Sequence, residues 1–283
     1  MSAPSPPGRF FTDVVQRDIL IRGVPAKSPT FYRDVRMLMG VFSADLAALR
    51  AELANHVAPF QLAALAPLVP LAVLPGRGLV AIHAFDYRDT DVGPYGELAV
   101  SIAVHPPGSR LPGPLAAARS VLTGAFHAVV IAMPVTTDLA LWGGLDYFNF
   151  PKTLADLAFT ESATATTCTL RDRSTGALEL ELVGRRLAAK PLYHRTWGRF
   201  DRDAAPSVCT FTSYPRLEGR LTRARVRLHI LAAGTRYRGD GLTLALGHTA
   251  LGRRLERLGL GRLLMYWDVP RAEAILYAPE PLA

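Results

Sequence analysis

Lysine is scarce in this chain: of its 32 basic residues only Lys27, Lys152 and Lys190 are lysine, and arginine supplies the rest. Arginine stays protonated near neutral pH and offers no nucleophilic amine, whereas a lysine taken out of water can do so. Lys27 lies in a polar Ala-Lys-Ser-Pro stretch and Lys190 precedes Pro191 beside arginines, so both read as solvated. Lys152 instead follows Trp142, Tyr147, Phe148 and Phe150 within ten residues. Burial beside aromatic rings penalises the ammonium and leaves more free amine to attack a carbonyl, which is what Schiff-base chemistry needs. The same stretch also reads as a lysine snorkelling from a strand end with its stem on apolar surface.

The second residue that could do chemistry is Glu97. It opens an alternating run in which Ala99, Ser101 and Ala103 share its face, while Leu98, Val100, Ile102 and Val104 take the other. Small residues beside a carboxylate leave room for a ligand, and a glutamate near an iminium could shuttle protons to carbon. A strand-end glutamate in water, or paired with an arginine, is the plainer reading.

The elements that must position these residues are mostly strands. Residues 1 to about 30 read as a Pro-rich tail and lead-in, with residues 31–283 forming one domain. Ser43 offers an N-cap for a helix through Asn55, with Leu46, Leu49 and Leu53 at helical spacing. Short β-rich runs follow at Leu79–Phe85, Glu97–Val104, Ala128–Met133, Thr164–Arg171 and Ala177–Val183, with a hairpin expected around Asp172–Gly176. Arg223, Arg225, Arg227 and His229 alternate with apolar residues, as in a strand with one basic face. A helix is expected over Thr249–Leu258, then a strand over Leu263–Asp268 and, after Pro270, a short one through Tyr277. The fold class is α+β: a strand-dominated single domain with a curved antiparallel sheet or barrel.

Composition sets the remaining bounds. With 49% hydrophobic residues the chain can bury a substantial core. The apolar segment Val57–Leu74 is interrupted by Pro59, Pro67 and Pro70 and reads as buried and broken, so no membrane association is expected. No signal sequence is evident, and a cytoplasmic location is the expectation. The formal charge of +8 is spread along the chain with no dense basic block, which argues against nucleic-acid binding. The basic face around Arg225 reads as solvated. Cys168 and Cys209 read as reduced core thiols. The seven histidines lack metal-site spacing, no Gly-x-Ser-x-Gly elbow is present, and no Gly-rich phosphate loop follows a strand. No metal or cofactor is expected.

Three motifs carry a resemblance. Phe150-Pro151-Lys152-Thr153, preceded by Gly144-Leu145-Asp146, resembles the acetoacetate decarboxylase motif in which Gly-Arg-Glu leads through an aromatic spacer into Pro-Lys-Lys. Pro94-Tyr95-Gly96-Glu97 resembles that family's Tyr-x-Glu, and Asp268 to Ile275 its C-terminal Pro-Arg-Ala-Glu strand. The resemblance implies an acetoacetate decarboxylase-like fold, Lys152 as the Schiff-base nucleophile and Glu97 as general acid/base. Tyr95, Trp142, Phe148 and Phe150 are the expected substrate-binding wall. It further implies a homo-oligomeric, cofactor-independent lyase of decarboxylase or aldolase/dehydratase type, with a small oxo acid as substrate. The alternative is a non-catalytic relative binding a small apolar or acidic ligand. The chain departs from the family in four places. Thr153 replaces a second lysine, Gly-Arg-Glu has become Gly-Leu-Asp, a second glutamate falls on Ala81 or Ile82, and Arg33 and Arg36 are the candidates for an N-terminal arginine.

Overall fold

The structure, a computed structural model, describes residues 10–57, 68–189, 208–214, 216–217, 220–237 and 239–281. The Ser2–Gly8 tail, most of the Pro-interrupted segment, Lys190 and His194 lie outside the described residues. The strands are β1 (Arg17–Ile21), β2 (Val24–Ser28), β3 (Thr30–Asp45), β4 (Arg77–Thr90), β5 (Tyr95–Ala103), β6 (Ala125–Val135), β7 (Lys152–Glu161), β8 (Ala165–Asp172), β9 (Leu178–Arg185), β10 (Val208–Ser213), β11 (Arg216–Leu217), β12 (Arg220–Tyr237), β13 (Leu242–Leu246), β14 (Leu263–Leu276) and β15 (Glu280–Pro281). The helices are α1 (Leu46–Val57), α2 (Gly113–Thr123), α3 (Asp138–Trp142) and α4 (Ala250–Arg257), and α3 runs into a π-helical turn, Gly143–Phe148.

Seven strands close a barrel in the order β10-β12-β14-β3-β4-β5-β6, and β6 returns to β10 through the parallel register Thr210↔Ala125 to Ser213↔Ala128. Further along the edge of β6 that meets β10, the chain pairs in parallel with β7 at Met133↔Lys152 and continues antiparallel through β8, β9 and β13 as a wing on the barrel. The sheet is thus antiparallel except at the pairings of β6 with β10 and β7.

Strand alternation divides the core in two. On β5, Leu98, Val100 and Ile102 face outward into a cluster with Leu38, Ile82, Leu170 and Leu180, packed under the wing and α1. Ala99, Val130, Met37 and Val269 face the barrel interior. Because β3, β4 and β5 are buried on both faces, their sequences read as near-continuous apolar runs. At Gly40 a Cβ would lie 2.4 Å from Leu242 Cδ2, so glycine lets β13 of the wing approach the barrel wall.

Several sequence expectations are revised. The lead-in contains the β1–β2 hairpin, turned at Arg22 and Gly23, both with positive φ. The strand β3 had no counterpart in the sequence reading. Ser43 lies within it, and the helix cap is Asp45, whose Oδ1 accepts the Ala48 amide at 2.8 Å. Pro270 does not divide the C-terminal strand: β14 runs through it at a register shift between Val269 and Ala272, where the missing N–H breaks no regular ladder bond. In the described end of the Pro-interrupted segment Leu68 and Leu71 are buried, whereas Val69 and Leu74 are exposed. The Asp172 hairpin, the α4 helix with its Thr249 cap and the β12 alternation are present. Cys168 and Cys209 are buried, and no disulfide joins them. The basic face of β12 is partly covered: Arg223 and Arg225 pair with Glu280, Arg227 stacks over Phe10, and His229 meets Glu273. No helix among the described residues is long and apolar enough to cross a membrane.

Candidate active site

Lys152 is delivered to the barrel interior by an irregular turn. The π-helical segment ends at Asn149 in the left-handed region (φ 64°), and the Phe150 amide donates back to the Gly144 carbonyl at 2.9 Å. The chain then extends, and the Met133 amide on β6 donates to Pro151 O at 3.2 Å, starting the parallel pairing that fixes Lys152. Gly144 has a direct steric role: a Cβ there would lie 2.1 Å from Lys152 Cδ. The lysine stem passes over bare backbone.

The Lys152 and Glu97 side chains, only 6% and 7% exposed, meet with Nζ donating to Oε2 at 2.7 Å. Glu97 also accepts from Tyr87 OH (3.2 Å, Oε1) and Tyr95 OH (3.5 Å, Oε2). Tyr32 OH lies 3.3 Å from Tyr95 OH, and Nζ sits 5.5 Å from the Tyr95 ring centroid. Burial, with the Glu97 charge behind it, pushes all three phenols well above the ordinary tyrosine range. They therefore remain protonated donors through neutral and mildly alkaline pH. The carboxylate is held by two phenols and one amine, which fixes its orientation.

These groups face a cavity in the barrel interior. Of the residues singled out in the sequence, Lys152, Glu97 and Phe150 line it, as do Ala99 and Ser101 from the small face of β5. Tyr95 acts on the site from behind, through its hydroxyl and ring. Phe148 is buried in the same cluster without lining the cavity. Trp142 does not line it: the tryptophan lies under the Arg22 guanidinium, 5.4 Å from its ring centroid, and Arg22 also pairs with Asp146. Its expected place on the wall is taken by Phe85, Met37, Met133 and Phe211.

The departures from the resemblance also find their places. Thr153 points to solvent, as strand alternation next to a buried lysine requires. Ile82 faces the outer core and Ala81 a second cavity, so the β4 residue facing the site between them and Glu97 is His83, opposite Ala99. His83 stacks on Phe85, and its Nε2 is buried with no hydrogen-bond partner among the described residues. Burial pushes its imidazole down to about 4. Arg33 is tied to Asp91 at 2.5 Å, and Arg36 to Glu161 and Asp268 at 2.7 and 3.2 Å; neither lines the cavity. Tyr32, Tyr87 and His83 were not visible as site residues in the sequence. Among the described residues no three of His, Cys, Asp and Glu stand together as metal ligands would.

A family sequence model described as acetoacetate decarboxylase (ADC) matches residues 25–230, which hold both Lys152 and Glu97. The chain belongs to the acetoacetate decarboxylase family. Solved structures of similar fold include acetoacetate decarboxylase from Legionella pneumophila, with TM-score 0.60, 16% identity and coverage of 100% of this chain and 98% of that one. The enduracididine biosynthesis enzyme MppR has TM-score 0.55 at 12% identity over 90% and 87% of the two chains. An acetoacetate decarboxylase-like enzyme from Sphingomonas wittichii RW1 has TM-score 0.51 at 14% identity over 90% and 93%. No curated protein sequence matches the chain. This acetoacetate decarboxylase-family member is thus a divergent one, sharing the fold of lyase-type enzymes at low identity.

Proposed function

We propose that this protein is a cofactor-independent, Schiff-base-forming carbon–carbon lyase in which Lys152 is the nucleophile and Glu97 the general acid/base. The observation that carries the reading is the buried 2.7 Å hydrogen bond from Lys152 Nζ to Glu97 Oε2 on the wall of a cavity. An ammonium–carboxylate pair and an amine–carboxylic acid pair are both neutral overall, so moving one proton along this bond frees the amine without leaving a lone buried charge. The amine adds to the substrate carbonyl, and Glu97 returns the proton to the departing hydroxyl as the iminium forms and water leaves. The iminium then accepts the electron pair of the adjacent carbon–carbon bond. From a 3-oxo acid that bond releases carbon dioxide; from a β-hydroxy ketone it releases an aldehyde. Either route leaves an enamine; Glu97, reprotonated by the β-hydroxyl in the aldol route and by solvent in the decarboxylation route, protonates it before water hydrolyses the imine. Tyr87 and Tyr95 orient the carboxylate throughout.

A relative of the same fold lends support. MppR is known in complex with pyruvate and with the condensation product of pyruvate and imidazole 4-carboxaldehyde, the kind of bond-forming step an enamine performs. The test is exchange of α-hydrogens in deuterium oxide, followed by NMR, with acetoacetate, pyruvate and simple methyl ketones as probes. The proposal predicts exchange that Lys152→Ala abolishes and Glu97→Gln slows by orders of magnitude. Folded protein that exchanges none of them would favour a binder that has kept the cavity and lost the chemistry.

A further inference from the structure

The cavity wall says something about what the lysine holds. Among the described residues lining it, the charged side chains are Lys152 and Glu97, already paired with each other. A substrate carboxylate would enter beside Glu97 with no cation of its own, and an unpaired buried charge is costly. The arginines that could have supplied one are committed elsewhere: Arg33 to Asp91, Arg36 to Asp268 and Glu161. His83 does not fill the gap, because its burial keeps the ring neutral above about pH 4.

Beyond His83 lies a second compartment, which adjoins the first and shares His83, Ser101, Ala128 and Phe211 with it. Its wall is mainly apolar, with Met39, Val41, Leu79, Phe126 and Met265, and among the described residues no Asp, Glu, Lys or Arg lines it. At the boundary the His83 and Phe211 rings meet edge to face at 5.8 Å, beside the small side chains of Ser101 and Ala128.

We infer that the carbonyl compound held at Lys152 is uncharged and carries an apolar tail of several carbons that runs past His83 and Phe211 into the second compartment. This rests on the Schiff-base reading above and narrows it, setting an uncharged ketone or aldehyde against the small oxo acid implied by the family resemblance. With no carboxylate to lose, the bond broken is an aldol one. The hydroxyl proton of a β-hydroxy ketone passes to Glu97, the Cα–Cβ electron pair moves into the iminium, an aldehyde leaves, and Glu97 returns the proton to the enamine carbon.

The experiment is cyanoborohydride trapping read by intact mass over a range of ligand concentrations, with Lys152→Ala as control. The probes are 2-pentanone, 2-heptanone and 2-nonanone, together with acetoacetate and 6-oxoheptanoate, the latter being 2-heptanone with its terminal methyl replaced by carboxylate. The half-trapping concentration is expected to fall roughly threefold per added methylene. 6-Oxoheptanoate is expected to need about 100-fold more than 2-heptanone. Ala81→Leu, which narrows the second compartment, should erase the gain from 2-heptanone to 2-nonanone. Trapping of acetoacetate or 6-oxoheptanoate at Lys152 as readily as 2-heptanone would overturn the substrate class while leaving the imine standing. No adduct from any probe would overturn both.

Discussion

Among the described residues two ion pairs are buried on both sides, and they differ in kind. Arg36 and Asp268 meet at 3.2 Å between the barrel and the wing. Glu161 and Thr166 also hold the arginine, while Asp268 accepts the Leu187 amide at 3.0 Å. Neither residue lines the cavity beside Lys152. Lys152 and Glu97 are buried to a similar degree, yet their pair forms part of a cavity wall and its cation can give up a proton. Burial of a salt bridge therefore does not mark a site in itself. A cavity beside the pair and a deprotonatable cation do, in a chain that uses arginine almost everywhere else.

Substitutions can break this contrast, beginning with the largest effect. Lys152→Ala should remove all imine formation, and Lys152→Arg should do the same while keeping the charge, as measured by trapping and α-hydrogen exchange. Glu97→Gln keeps the shape but loses the proton carrier, and exchange should slow by roughly 10²–10⁴-fold. Arg36→Leu should do the opposite, costing about 3–5 kcal/mol of stability by leaving Asp268 unpaired, with exchange per folded molecule unchanged. A melting temperature lowered by about 10 °C would register it.

A smaller effect concerns pH. The His83 imidazole, pushed down to about 4 by burial, is neutral in the fold and protonates near 6.5 once unfolded. The unfolded chain therefore binds more protons between those values, and stability falls as pH drops from about 6.5 to about 4, by roughly 3 kcal/mol in all. His83→Leu should flatten that part of a denaturation series run at stepped pH. Smallest of all, Tyr87→Phe removes one of three donors to Glu97, and exchange should fall by less than about tenfold.

The two groups proposed to react were legible in the sequence because each stood out locally. Lys152 was a rare lysine among aromatics, and Glu97 opened a strand whose own face carried small residues. The supporting groups were hidden by topology. Tyr87 reaches Glu97, and Tyr32 reaches Tyr95, because β3, β4 and β5 lie side by side in the barrel, which no local pattern announces. The strand β3 itself was missed because Met37 and Leu38 are buried on opposite faces, so alternation vanished. Trp142 was misplaced because the π-turn Gly143–Phe148 separates it from Lys152 and turns it toward Arg22. Gly144 offered a usable signal: a glycine eight residues before the lysine marks the bare backbone its stem needs.

The central claim is that Lys152, alone among the lysines, forms an imine with a carbonyl compound. The direct measurement is cyanoborohydride reduction in the presence of a methyl ketone, followed by peptide mapping of the modified residue. With lysines at just 27, 152 and 190 the site of the adduct is unambiguous. The account predicts one reduced adduct, on Lys152. Equal labelling of Lys27 and Lys190, or folded protein with Lys152 unmodified at saturating ligand, would contradict it.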